Sequence, residues 1–179
     1  MIYRKLNTAI FSILVVISIS VIAQVHDCND IEIGFSPGNT ASKIILKAIK
    51  KSKESIFIAA YSFTSKPIAL ALVEAHKKGV NVRLVVDKKS NTGRYTAVTY
   101  LVNHRIPVML NDKYSIMHNK FMIFDQKSVE TGSFNYTQAA TLRNAENVVY
   151  IKNRIDIAQK YIREFDRLWD EGKHATPSY

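Results

Sequence analysis

The sequence predicts an α/β fold in a single domain: a mixed β-sheet flanked by helices on both faces. Three observations predict it. Short apolar runs of strand length alternate with amphipathic stretches of helix length from residue 31 to residue 169. Two of those runs, SIFIAAY (55–61) and NVRLVV (81–86), carry almost no polar alternation, the pattern of strands covered on both faces. The 179 residues contain no internal repeat and no low-complexity linker, a length that suits one core better than two once a leader is set aside.

The elements follow in order. Residues 31–35 alternate apolar and polar and then meet SPGN (36–39), so a short strand enters a turn. Thr40 is placed to cap a helix with Ile44, Ile45, Ala48 and Ile49 on one face and Lys43, Lys47, Lys50 and Lys51 on the other. That lysine stripe reads as a solvated face. After the strand at 55–61, Ser65 caps a second helix, with Pro67 in its first turn and Gly79 just past its end. The strand at 81–86 closes at Asp87 on a polar, basic loop, KKSNTGR. A third helix is expected over 95–103, strands over 107–110, 117–124, 129–132 and 148–151, and a last amphipathic helix over 155–169, with Trp169 packing on its apolar side.

The first residues speak to compartment. Arg4 and Lys5 precede an apolar stretch over residues 9–22, and Val21-Ile22-Ala23 ends it with a small residue, the order of a secretory signal peptide cut after Ala23. The stretch of about 14 residues falls short of the roughly 20 that span hydrocarbon. The expectation is a signal at 1–23, one domain at 24–179, a periplasmic or secreted location, and no stable membrane insertion after cleavage. Cleavage removes two bases and no acid, so a net charge of +10 falls by two and stays strongly positive. A basic exported domain suits a polyanionic partner, nucleic acid or anionic lipid, although charge alone also serves solubility. The single Cys makes no internal disulfide, and no Cys/His group has zinc spacing.

Residues 117–135, MHNKFMIFDQKSVETGSFN, hold the chemistry. In a strand, residues i and i+2 face the same way about 7 Å apart, so His118 and Lys120 share a face, as do Ser133 and Asn135 if the backbone stays extended. A lysine charge, a hydroxyl, an amide and a histidine that works as nucleophile or acid/base near neutral pH can all meet one phosphate. Asp125 has the opposite parity and opens a turn, so it is expected to hold the turn or a nearby backbone donor, not substrate. Lys88, Lys89 and Arg94, beside a strand end, are candidates for nucleic-acid contact. Tyr95, Tyr114, Phe134 and Tyr136 are candidates to stack on bases, with Phe134 equally suited to the core.

His118-x-Lys120-x4-Asp125 followed by Gly132-Ser133-Phe134-Asn135 resembles the HKD motif of the phospholipase D superfamily. YSFTS (61–65) and the strand ending in VVD (85–87) are similar to that family too, and in size and single-motif form the chain looks like its small exported bacterial endonucleases. The resemblance implies a phospholipase D-like fold and a phosphodiester hydrolysis without divalent cation or other cofactor. One motif histidine attacks phosphorus, a second protonates the leaving oxygen, and water then releases the phosphohistidine. Lys120, Ser133 and Asn135 would stabilise the phosphoryl oxygens. Glu146, in RNAEN, is where the resemblance puts the carboxylate that orients the imidazole; on the residues alone it reads as a solvated acid. His26, His76, His104 and His174 lie in no such motif, so a complete site needs a homodimer with the site at its two-fold axis.

Three functions compete. A non-specific endonuclease acting on DNA, or on RNA, fits the charge and the lack of any base-reading element. A phospholipase D-type lipid phosphodiesterase would use the same groups, but the chain offers little room for an acyl pocket and no apolar loop for a bilayer. A non-catalytic polyanion binder would not need the full set of His118, Lys120, Ser133 and Asn135.

Overall fold

Apolar strands pair with their neighbours and bury both faces under helices, and that arrangement dictates the architecture. The structure, a computed structural model, describes residues 30–93 and 96–177. The expected signal at 1–23, and Arg94 and Tyr95, lie outside the described residues. In chain order the elements are β1 (Ile31–Ser36), α1 (Thr40–Lys51), β2 (Ser55–Ala60), α2 (Lys66–Lys77), β3 (Asn81–Asp87), α3 (Lys88–Asn91), α4 (Ala97–Asn103), β4 (Val108–Asn111), β5 (Lys120–Phe124), β6 (Ser128–Gly132), α5 (Gln138–Leu142), β7 (Glu146–Ile151), α6 (Ile155–Asp170) and β8 (Lys173–His174).

The strands form one sheet in the order β1-β7-β6-β5-β2-β3-β4-β8. β2, β3 and β4 run parallel, as their helical crossovers require. β5 enters antiparallel beside β2, and β6, β7 and β1 continue antiparallel to the edge, so the sheet is mixed as expected. One face packs Ile45 and Ile49 of α1, Leu72 of α2 and Leu101 of α4 onto Ile58, Leu84 and Met122. The other packs Ala158, Phe165 and Leu168 of α6 onto Phe57, Phe121, Ile123 and Val129. Helices thus flank both faces.

Local detail departs from the expectations in ways with identifiable causes. Thr40 does not cap α1: Asn39 precedes the helix in the left-handed region, with φ 66°, and makes no side-chain cap. The tight turn brings Thr40 back beside Phe35 instead. There its hydroxyl accepts from the Phe35 N–H and donates to the Phe35 carbonyl, both at 2.8 Å. The KKSNTGR loop contains α3, because the Asp87 side chain caps it by accepting from the Ser90 N–H at 2.8 Å. α4 starts at Ala97, not at residue 95. The strand expected over 117–124 begins only at Lys120, which pairs with Ala60 at the last position of β2. Among the described residues the β2–β5 ladder ends at Ala60, and the Met117 N–H turns to the Asp87 carboxylate at 2.9 Å. Two short elements, α5 and β8, went unforeseen.

Candidate active site

His118, Lys120, Ser133 and Asn135 lie toward the sheet end where β2, β3 and β6 end and β5 begins, where backbone ladders stop and side chains take over. Lys120 is 8% exposed, and its Nζ donates to the His118 carbonyl at 2.7 Å. The ammonium lies 5.2 Å from the centre of the Tyr61 ring, whose π face attracts a cation. Burial pulls the Lys120 pKa below that of an ordinary lysine, and the negative charge of Glu146 opposes the pull. His118 is exposed, and its imidazole meets Tyr61 edge-on with ring centres 4.6 Å apart. His118 and Lys120 therefore converge on one aromatic ring, although His118 sits in the loop ahead of β5 rather than within it.

That loop is anchored from below. Asp87, 2% exposed, divides its carboxylate between the Ser90 N–H of α3 and the Met117 N–H next to His118. Asn91, 3% exposed, donates to the carbonyls of Tyr61 and Asp87 and accepts from the Phe63 N–H. Two buried polar side chains thus fix the backbones of Tyr61 and Met117 on either side of the histidine.

Ser133, past the end of β6, is exposed and donates to Glu146 Oε2 at 2.6 Å. It accepts from the Asn147 N–H at 3.0 Å. Asn144 donates to the other Glu146 oxygen at 3.0 Å. Glu146 is therefore not a free surface acid but part of a hydrogen-bonded set with Ser133, at the first residue of β7. Gly132 makes that closeness possible, because a Cβ there would stand 2.2 Å from the Asn147 carbonyl oxygen. Asn135 is half-buried, and its side-chain oxygen has no hydrogen-bond partner among the described residues.

Asp125 sits at the opposite end of β5. Its carboxylate accepts from the backbone N–H groups of Lys53 (3.0 Å), Glu54 (2.8 Å) and Ser55 (3.2 Å), tying the start of β2 to the β5–β6 turn. Lys88 and Lys89 lie on α3, at the same sheet end as His118, where Lys88 pairs with Asp112 at 2.8 Å and Lys89 is exposed. Of the aromatic candidates, Phe134 and Tyr136 are fully buried and cannot stack on a base. The Tyr136 hydroxyl instead donates at 2.8 Å to Glu130, itself fully buried, and desolvation pushes the Glu130 carboxyl up to about 8. Tyr114 is half-buried and donates to Glu171 at 2.8 Å.

A groove of about 430 Å³ opens beside the cluster, lined by His118, Lys120, Thr131 and Gly132 and, from α6, by Lys160, Tyr161 and Glu164. Reading the sequence missed those α6 side chains and also Tyr61, Asp87 and Asn91. Tyr61 directly follows a buried strand, a signal of sorts, but only the β2–β5 pairing brings it to His118. Among the described residues no group of three His, Cys, Asp or Glu side chains is placed to hold a metal ion.

Comparison with known proteins agrees with this picture. A family model described as "Cardiolipin synthase, PLD-like domain" matches residues 45–169. The crystal structure of Nuc, a phospholipase D family member from Salmonella typhimurium, superposes with a TM-score of 0.80 at 40% identity, over 82% of this chain and 97% of that one. A protein named phospholipase D from Rickettsia prowazekii is 37% identical over 131 residues, 73% of this chain and 63% of its own length. A mitochondrial cardiolipin hydrolase of Xenopus tropicalis is 29% identical over 133 residues, 74% of this chain and 63% of its own. The chain thus spans just under two thirds of the length of these last two relatives. A family match across most of the described residues, on a sheet whose strand β5 carries the motif from end to end, has one meaning: the chain belongs to the phospholipase D superfamily.

Proposed function

We propose that the chain is a metal-independent phosphodiesterase, a non-specific endonuclease that hydrolyses DNA, with RNA as a second substrate class, through a phosphohistidine intermediate in a site shared by a homodimer. The observation that carries this reading is the convergence of His118 and Lys120 on Tyr61 at the mouth of an open groove. An exposed imidazole can reach phosphorus, and a half-desolvated ammonium beside it can hold a phosphoryl oxygen.

In the first step a nitrogen of His118 forms a bond to phosphorus, and the P–O bond to the leaving oxygen breaks. The His118 imidazolium of the second copy gives its proton to that oxygen. In the second step this now neutral imidazole takes a proton from water, whose oxygen attacks phosphorus and displaces the first histidine. Lys120, Ser133 and Asn135 stabilise the charge on the non-bridging oxygens. Glu146 holds Ser133 and has lone pairs left for an imidazole across the axis. Asp125 stays outside the chemistry, and Lys88, Lys89 and Arg94 contact flanking phosphates.

An uncovered part of the sheet supports the dimer. Ile31, Ile33 and Phe35 of the edge strand β1 are 56–60% exposed on the face that α6 occupies further along. In register beside them lie Ile151, Val149 and Asn147 of β7, and then Val129 and Thr131 of β6, where the groove begins. An apolar strip that runs from the groove to the sheet edge suits a second copy bringing its own His118. Residues 1–23 act as the export signal in this reading, leaving 24–179 as a periplasmic or secreted enzyme. Among the described residues no helix is long and apolar enough to cross a membrane.

The names of the Rickettsia and Xenopus relatives favour a second reading, a lipid phosphodiesterase on the same residues. One experiment separates the two. Purified protein is incubated with plasmid DNA, RNA, phosphatidylcholine and cardiolipin, each with excess chelator. Nicking of plasmid with intact lipid supports the nuclease; release of lipid headgroups with intact plasmid selects the alternative.

A further inference from the structure

A second concave site lies at the far end of the sheet from His118. A hollow of about 260 Å³ is lined there by Lys51, Lys53, Lys127 and Lys152, together with Ser128, Tyr150 and Asn153. The four lysines come from four segments: the end of α1, the link to β2, the β5–β6 turn and the residue after β7. Lysines that merely keep a surface wet have no reason to converge on a hollow from four directions. The convergence has a mechanical cause. Asp125 grips the N–H groups of Lys53, Glu54 and Ser55 and so draws the α1–β2 link against the turn that carries Lys127.

The hollow's charge is poorly compensated. Among the described residues Asp125 is the one carboxylate in its lining, and its oxygens are already turned to three backbone donors. Lys152 pairs with Glu32 at 3.1 Å, but Glu32 is shared with Lys47 at 3.0 Å, one carboxylate between two ammonium groups. Among the described residues Lys51, Lys53 and Lys127 form no ion pair. Neutral groups add to the cations: the Ser128 hydroxyl accepts from the Asn153 N–H and hydrogen-bonds the phenol of Tyr150, so two hydroxyls line the hollow. Cations around a concavity with hydroxyl donors match a chain of phosphodiesters, which presents repeated negative charge with no demand for base contacts.

We propose that this lysine-lined hollow is a second binding site for the phosphate backbone of nucleic acid, separate from the catalytic groove. The proposal rests on the nuclease reading of the groove for its choice of polyanion. Five residue steps of β5, roughly 16 Å, separate Lys120 from Asp125, so a strand must be long enough to pass around the sheet end to meet both sites. A short substrate engages the groove alone. The hollow therefore raises affinity for long strands and leaves chemistry on short ones unchanged.

The test uses Lys53→Glu/Lys127→Glu, two positions whose side chains, among the described residues, take no part in hydrogen bonds or in the groove. Binding is measured by anisotropy in a His118→Ala background, with a labelled single strand of roughly 30 nucleotides across a salt series. Turnover of a dinucleotide is measured with His118 intact, which also shows that the variant is folded. The expected result is an affinity for the long strand about tenfold weaker or more at low salt, a salt slope shallower by about 1.4 for two lost phosphate contacts, and dinucleotide turnover within about twofold of the parent. Unchanged long-strand affinity and slope would overturn the site. So would an equal loss on the dinucleotide, or, with binding to phosphatidylglycerol vesicles measured beside the strand, a loss confined to the vesicles. The two readings fail separately: a parent that cuts no nucleic acid, yet binds the long strand through Lys53 and Lys127, loses the nuclease and keeps the hollow.

Discussion

The imidazole of His118 and the phenol ring of Tyr61 meet edge to face at 4.6 Å, with the Lys120 ammonium 5.2 Å from the centre of the same ring. One aromatic side chain thus braces both the imidazole and the ammonium of the motif. Tyr61→Phe, which keeps the ring, should retain most turnover. Tyr61→Leu removes a contact of about 0.5–2 kcal/mol for the cation alone and should lower kcat roughly 2- to 30-fold, with a displaced pH optimum. Steady-state rates across pH check this, and a Leu variant with the parent's profile would deny Tyr61 any positioning role.

His118→Ala should abolish turnover without loss of stability, since the side chain is exposed and meets the Tyr61 ring at its edge. Lys120→Ala should cost on the order of 100- to 1,000-fold in kcat, by analogy with loss of a donor to developing negative charge. Thermal unfolding beside kinetics separates the two effects.

Asp125→Ala should act on stability first. It strips a partner from three backbone N–H groups 2.8–3.2 Å away. The expected loss is about 2–3 kcal/mol, with normal kcat for the folded fraction. A variant of full stability and no activity would place Asp125 in the chemistry instead.

Glu130 predicts an unusual pH dependence. Its carboxyl is held neutral in the fold up to about 8, whereas an exposed glutamate ionises near 4.5. The folded state therefore binds the extra proton between those values, and stability should fall as pH rises through that window, by a few kcal/mol at most. Glu130→Gln stays neutral throughout and should flatten the decline. Urea unfolding at pH 5 and pH 8 makes the comparison; parallel slopes for the two proteins would show that Glu130 is not the group involved.

Much of this was legible in the sequence because it rests on local pattern. The buried runs at 55–61 and 81–86 became the central parallel strands, and the periodicity of 155–169 became α6. Parity brought His118 and Lys120 to one side, although the ladder ends at Lys120 and the loop before it is shaped by Asp87. What stayed hidden depends on pairings between distant segments. Nothing near Tyr61 says that β5 will lie antiparallel to β2, and nothing near Tyr136 says that its hydroxyl will be buried against Glu130. The short elements α5 and β8 carry too few residues for a periodic signal.

The shared site is the central claim, and specific activity as a function of assembly tests it most directly. Sedimentation and plasmid nicking are followed together over a dilution series in chelator. If two copies of His118 are needed, specific activity falls in step with the dimer fraction, and titration with His118→Ala chains depresses it further as mixed dimers form. Undiminished specific activity in a protein shown to be monomeric would contradict the account.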